Sequence, residues 1–193
     1  ALYFTALLHA ARGSDPDALR FTLRSAYHYP GGERSADALR LLARLAERHP
    51  EWGLRYEEVN RLADLPAREE PDGRMIALLR RFASVRPDTL REAALAETRA
   101  FLEEYGASDY LHEALALAAE LLRDLGRPGE AASYLAAIAV SGPGNPIWAA
   151  QTLELARLYL GPLGDRERAT MLLRAITEEA PGSPEAEQAA ELL

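Results

Sequence analysis

An alanine early in one helix-forming stretch, with a proline or glycine twelve residues later, recurs along this chain at a nearly constant spacing. Ala131 and Ala169 lie 38 residues apart, Ala94 and Ala131 lie 37 apart, and Ala18 and Ala94 lie 76 apart, twice the same period. Pro30, Gly106, Pro143 and Pro181 each stand twelve residues after one of those alanines. A period in this range marks stacked supersecondary units, each too small to bury its own apolar faces without its neighbours. One copy is degenerate. Its alanine position falls near Tyr56 and its stop near Arg68, inside a proline-rich charged segment.

The best-formed unit is Ser108 to Pro143. Ser108 or Asp109 offers a short side-chain oxygen to an orphan N–H and can cap a helix start. Leu111, Leu115, Ala118, Leu121 and Leu122 follow at helical spacing. Gly126 stops that helix, because glycine enters the left-handed region without steric penalty. Pro128 suits the first turn of a second helix carrying Ala131, Tyr134, Leu135 and Ile138. Ser141-Gly142-Pro143-Gly144 ends it. So short a turn sets the two helices side by side and antiparallel, and the small residues Ala114, Ala118, Ala119, Ala131 and Ala132 let them approach closely.

The same layout extends along the chain. Helices are expected at Leu2–Arg12, from Ser14 to the Tyr29–Gly32 stop, at Glu33–His49, Glu51–Leu65, Arg74–Val85, from Pro87 to about Tyr105, from Asn145 to about Leu160, from Asp165 to the Pro181 stop, and at Glu185–Leu193. Nearly all of the 13 glycines and 12 prolines fall at these boundaries, so local chemistry and periodicity agree. Pro66–Gly73 is the most loop-like segment. The expectation is one solenoid over residues 1–193, with repeats at about 1–32, 33–71, 72–107, 108–144 and 145–182 and a terminal helix over 184–193.

Composition supports an all-α fold. Ala, Leu, Glu and Arg dominate, strand-favouring Val and Ile are scarce, and 48% of residues are apolar. The formal net charge of −8 argues against a nucleic-acid backbone as partner. Cysteine and lysine are both absent. That removes disulfides, thiolate ligands, Schiff-base lysines and the lysine of a phosphate-binding loop. No apolar run approaches the ~20 residues that span a bilayer, so no membrane insertion is expected within the chain. Ala1 stands where an initiator Met would, the expectation for a fragment or a processed form, and either a cytoplasmic or a periplasmic setting fits.

In its repeat signature the chain resembles the tetratricopeptide-repeat (TPR) family. Gly13, Gly126 and Gly164 match that family's turn glycine. Ala18, Ala94, Ala131 and Ala169 match the small residue where the second helix crosses the first, and Pro30, Pro143 and Pro181 match the terminal proline. The period exceeds the family's ~34 residues. The Trp and Leu-Gly signature of the first helix is missing, with Leu115 and Ala118-Ala119 in its place, and the second and third repeats match poorly. The stretch FLEEYGASDY…LGRPGEA is similar to TPR modules of bacterial envelope proteins, with Gly106 where their pattern has proline. The resemblance implies a right-handed α-α superhelix of about five hairpins plus a terminal helix, its first helices lining a concave surface.

No catalytic, metal or cofactor constellation is legible. His9, His28, His49 and His112 form no pair at ligand spacing, and isolated packed or solvated imidazoles are expected. Glu69, Glu70 and Asp72 are expected to be a solvated turn. Tyr27, His28 and Tyr29 could contact a peptide, but filling the gap between repeats is the commoner role, as it is for Trp52 and Trp148, with an exposed ring near a helix start as the alternative for Trp148. Arg40, Arg44, Arg48, Arg80, Arg81 and Arg123 fall on first helices, where a guanidinium can grip a partner's carboxylate in bidentate fashion. Local pairing, as between Asp37 and Arg40, is the favoured alternative. Two functional readings follow. One is a non-catalytic scaffold binding a peptide or partner domain on the concave face. The other is a self-assembly or regulatory module of a larger bacterial envelope or membrane-associated protein, with a homo-oligomer as one form.

Overall fold

The computed structural model describes residues 1–29, 33–52 and 88–193. Nine α-helices run through them: α1 Leu2–Ala11, α2 Asp15–His28, α3 Ser35–Arg48, α4 Asp88–Glu104, α5 Leu111–Asp124, α6 Pro128–Val140, α7 Trp148–Leu160, α8 Arg166–Glu179 and α9 Pro184–Leu192. A 3₁₀ turn, Pro50–Trp52, follows α3, and no strand occurs among the described residues. Over those residues the protein is all-α. Most of the helix expected at 51–65, the helix at 74–85, the loop at 66–73, Pro30, Arg80 and Arg81 lie outside the described residues.

The expected boundaries hold to within a few residues, and the turn chemistry explains where they shift. After α1, Gly13 takes φ 75°. Its N–H donates to Ala10 O at 3.2 Å and the Ser14 N–H donates to His9 O at 3.0 Å. After α5, Gly126 takes φ 71°, with the same bonds from Gly126 to Arg123 O (2.9 Å) and from Arg127 to Leu122 O (2.8 Å). These are Schellman closures, which satisfy carbonyls that a helix end leaves orphaned. Asp165 and Ser183 cap α8 and α9 by accepting from Arg168 N and Ala186 N. Ser108 stands three residues before α5. Its hydroxyl accepts from Tyr110 N at 3.0 Å, and the helix opens at Leu111. Asn145 likewise accepts from Ile147 N at 3.1 Å, so α7 opens at Trp148. Short polar side chains that bond their own backbone two residues on hold a turn instead of a helix.

The helices form two compact units, Ala1–Tyr110 and Leu111–Leu193. In the second, α5 packs on α6, α6 on α7, α7 on α8, and α9 on both α8 and α7. Its core includes Trp148, Leu153, Ala156, Leu173, Ile176, Ala186 and Ala189. Trp148 is buried, and its indole N–H donates to Ala139 O at the end of α6 at 2.9 Å. That ring therefore ties one hairpin to the next.

In the first unit, α1 packs on α2, and α2 on both α3 and α4. Leu19, Leu42, Leu45, Leu90, Leu95 and Phe101 are fully buried there. Ala18, Ala94, Ala131 and Ala169, the small residues of the sequence period, are each at most 1% exposed. Two of them head a longer match. Ala18-Leu19 and Ala94-Leu95 are each followed by a buried threonine, Thr22 and Thr98. Each hydroxyl donates back to the alanine carbonyl, at 2.6 Å in α2 and 2.8 Å in α4.

An ion group joins α2 and α4. Glu97 of α4 is buried, its side chain 6% exposed, and it takes Arg20 and Arg24 of α2 on its two oxygens. The Arg24 contact measures 2.6 Å. Breaking a buried ion pair leaves an uncompensated charge, whereas replacing the whole group by apolar side chains of similar volume removes the desolvation cost as well. Glu97→Ala is expected to cost about 3 kcal/mol or more of unfolding free energy. The triple variant Arg20→Met, Arg24→Met, Glu97→Leu is expected to cost clearly less, and urea unfolding of the two proteins checks the order.

Candidate functional site

The two faces of α3 are set by its spacing. Ala38, Leu41, Leu42 and Leu45 are buried, while Arg40, Arg44 and Arg48, four residues apart, project from the opposite, exposed side. Where α3 passes α1 it leaves an open groove. One part, of about 570 Å³, is lined by Tyr3 of α1 and by Asp37, Leu39, Arg40 and Arg44 of α3, among others. An adjoining part, also about 570 Å³, is lined by Leu7, Ala10 and Ala11 of α1 and by Leu41, Arg44 and Arg48 of α3, together with Glu47. Arg44 and Glu47 line both parts. The groove thus combines apolar side chains from α1 with a row of three guanidinium groups from α3.

The three arginines differ in their engagement. Arg40 pairs with Asp37 at 3.3 Å, and Arg34 pairs with the other oxygen of Asp37 at 3.2 Å. Arg48 pairs with Asp15 at 3.2 Å. Arg44 is exposed and has no ion pair or hydrogen bond among the described residues.

Arg123 belongs to the other unit and is committed within it. It bonds Glu154 of α7. Glu154 also takes Arg157 at 2.6 Å, and Arg157 donates to Gln188 of α9 at 2.7 Å. A polar ladder therefore runs from α5 through α7 to α9. Sequence reasoning named only Arg123. The available signal was the spacing of Glu154 and Arg157, three residues apart on one helix face.

A second cluster was not foreseen. His49 follows α3 as its C-terminal cap. Its Nε2 lies 2.8 Å from Asp15 Oδ2 and its Nδ1 lies 2.8 Å from Glu51 Oε1. Its ring stacks on the buried Trp52 with centroids 4.0 Å apart and planes 8° from parallel. Partial burial pulls the imidazole down. The hydrogen bonds and negative charges of Asp15 and Glu51 outweigh that and hold His49 above its ordinary value. The hydrogen bond from His49, aided by a backbone hydrogen bond and the charge of the ring, holds Glu51 below the usual carboxylate range. The expected isolated imidazole is, at His49, the centre of a network. Both ring nitrogens are thus taken by carboxylates. His9 stacks on Phe21 with centroids 5.2 Å apart.

Trp52 and Trp148 are both buried, while Tyr29 is exposed and the side chains of Tyr27 and His28 lie outside the described residues. Among the described residues no group of three or more His, Asp and Glu side chains could hold a metal ion, and no helix is long and apolar enough to cross a membrane. No protein-family model and no curated protein matches this chain.

The ladder of α5, α7 and α9 has a measurable weight. Glu154 is partly exposed, with 28% of its side chain open to solvent, and pairs of that kind contribute up to about 1 kcal/mol and weaken in salt. Glu154→Gln is expected to destabilise by about 1 kcal/mol or less, with the difference from the parent shrinking in urea titrations at high salt.

Proposed function

We propose that this chain is a TPR-like α-solenoid of about five helix hairpins plus a terminal helix, acting as a non-catalytic protein-interaction scaffold. Its partner is a peptide or peptide-like segment that brings a carboxylate to the α1–α3 groove. The observation that carries this reading is Arg44. Its guanidinium is uncommitted among the described residues, while Arg40 and Arg48 on either side are held by Asp37 and Asp15. The groove around it carries Tyr3, Leu7 and Leu39. A planar guanidinium beside apolar side chains suits a carboxylate-bearing segment, for which the fork gives direction and the side-chain pockets give affinity. The packing of each second helix on the next first helix, α2 on α3 and α6 on α7, supports the solenoid reading. With a net charge of −8, the scaffold is assigned a protein partner and no nucleic acid.

A panel of peptides with free or amidated C-termini, read by fluorescence anisotropy, tests this. The best binders are expected to lose about tenfold or more in affinity on amidation or in Arg44→Glu. Arg123→Glu, which removes a residue already bonded to Glu154, is expected to leave their affinity near the parent value. Equal binding of free and amidated peptides would remove Arg44 from the recognition of carboxylates.

The self-assembly reading has one observation of its own. Phe4 and Leu8, one turn apart on α1, are 59% and 50% exposed. Under that reading the protein sediments as a homo-oligomer at high concentration and Leu8→Glu returns it to monomer, with helicity by circular dichroism unchanged.

A further inference from the structure

We propose that His49 is a pH-operated clasp: protonated, it fastens the Pro50–Trp52 turn to α2 through Glu51 and Asp15 together, and deprotonated it keeps Asp15 and releases Glu51. The proposal stands on the geometry of the cluster and is independent of the groove's ligand.

The two ring nitrogens each face a carboxylate oxygen at 2.8 Å. Ionised carboxylates only accept, and only the imidazolium donates from both nitrogens. Loss of the proton turns one nitrogen into an acceptor that faces another acceptor, so one of the two contacts must open. The surroundings decide which. Asp15 is 8% exposed, its Oδ1 is buried and makes no hydrogen bond among the described residues, and its Oδ2 is shared with Arg48. Withdrawing His49 would leave that buried carboxylate with a single half-exposed guanidinium, a costly state. Glu51 has 57% of its side chain exposed and returns to water easily. The neutral ring therefore carries its proton on Nε2, toward Asp15.

Among the described residues, the charged groups around the ring are Asp15 from α2, Arg48 from the last turn of α3 and Glu51 from the turn itself. The indole of Trp52 covers one face, and an aromatic face favours a stacked cation over its neutral form. The signs set the window. His49 is raised, so its contribution is complete below its unfolded value of 6.5 and fades as pH rises through the higher folded value. Glu51 is lowered, so its contribution fades as pH falls through a folded value below 4.5. Between those limits the clasp is shut.

Trp52 reports on its own neighbour. The chain has two tryptophans, so Trp148→Phe leaves Trp52 as the only indole. A protonated imidazole in stacking contact quenches indole fluorescence. Emission is therefore expected to rise with pH in one transition centred above 6.5, and His49→Gln should abolish that transition although His9, His28 and His112 remain. Glu51→Gln should lower the midpoint by about half a pH unit or more, because an amide oxygen still accepts but carries no charge. Nitrogen-15 imidazole spectra of the unsubstituted chain give a readout that needs no variant. They should show His49 in the Nε2–H form above the transition. A midpoint unmoved by Glu51→Gln, or a neutral ring protonated on Nδ1, would overturn the proposal.

Discussion

Everything described in this chain depends on how closely two helices can approach within a hairpin. A pair of helices joined by three residues has no freedom to separate, so the side chains at the crossing must be small. Ala18 and Ala131 occupy that place in α2 and α6, and Ala169 stands at the matching position of α8, which a five-residue turn joins to α7; all three have no exposed surface. Once the pair is closed, each hairpin still carries apolar side chains on its outer side. Trp148 shows how they are used. Its ring fills the space where α7 meets α6, and its N–H consumes a carbonyl at the end of α6. Burial and hydrogen bonding therefore act at the same junction, which a purely apolar ring could not achieve.

The α2–α4 contact departs from neighbour-only stacking. Among the described residues, α1 to α3 and α5 to α9 pack on helices one or two places away in sequence. The Arg20–Glu97–Arg24 group joins two helices whose alanines Ala18 and Ala94 lie 76 residues apart. Both helices also carry Ala-Leu-x-x-Thr, with the threonine hydroxyl turned back to the alanine carbonyl.

Much of the helical architecture was legible because the punctuation is local. Gly13 and Gly126 end helices through their own φ angles, and Asp165 caps α8 through its own carboxylate. The boundaries that moved, at Ser108 and Asn145, moved because a polar side chain three residues before a helix serves equally well in a cap or a turn. The candidate site was legible only in part. Arg40, Arg44 and Arg48 could be placed on one helix face by counting. That Arg44 alone of the three lacks a described partner depends on Asp15, which arrives from another helix. The His49 cluster was hidden for the same reason. Asp15 and His49 are 34 residues apart, and no helical period relates them. The Ala-Leu-x-x-Thr pair, by contrast, stood in the sequence at the double period and would have strengthened the repeat assignment.

The Glu97 group also has a kinetic meaning. In the unit from Leu111 to Leu193 each helix rests on a neighbour in sequence, or on the next but one, so every loop that folding must close is short. In the unit from Ala1 to Tyr110, joining Arg20 to Glu97 closes a loop of 77 residues. The entropy of that closure must be lost before the buried carboxylate gains its partners. Chains rich in local contacts reach their native state sooner than chains that wait on distant ones. Closing the Arg20–Glu97 loop therefore costs more chain entropy than closing the 31-residue loops that Arg123–Glu154 and Arg157–Gln188 close in the second unit.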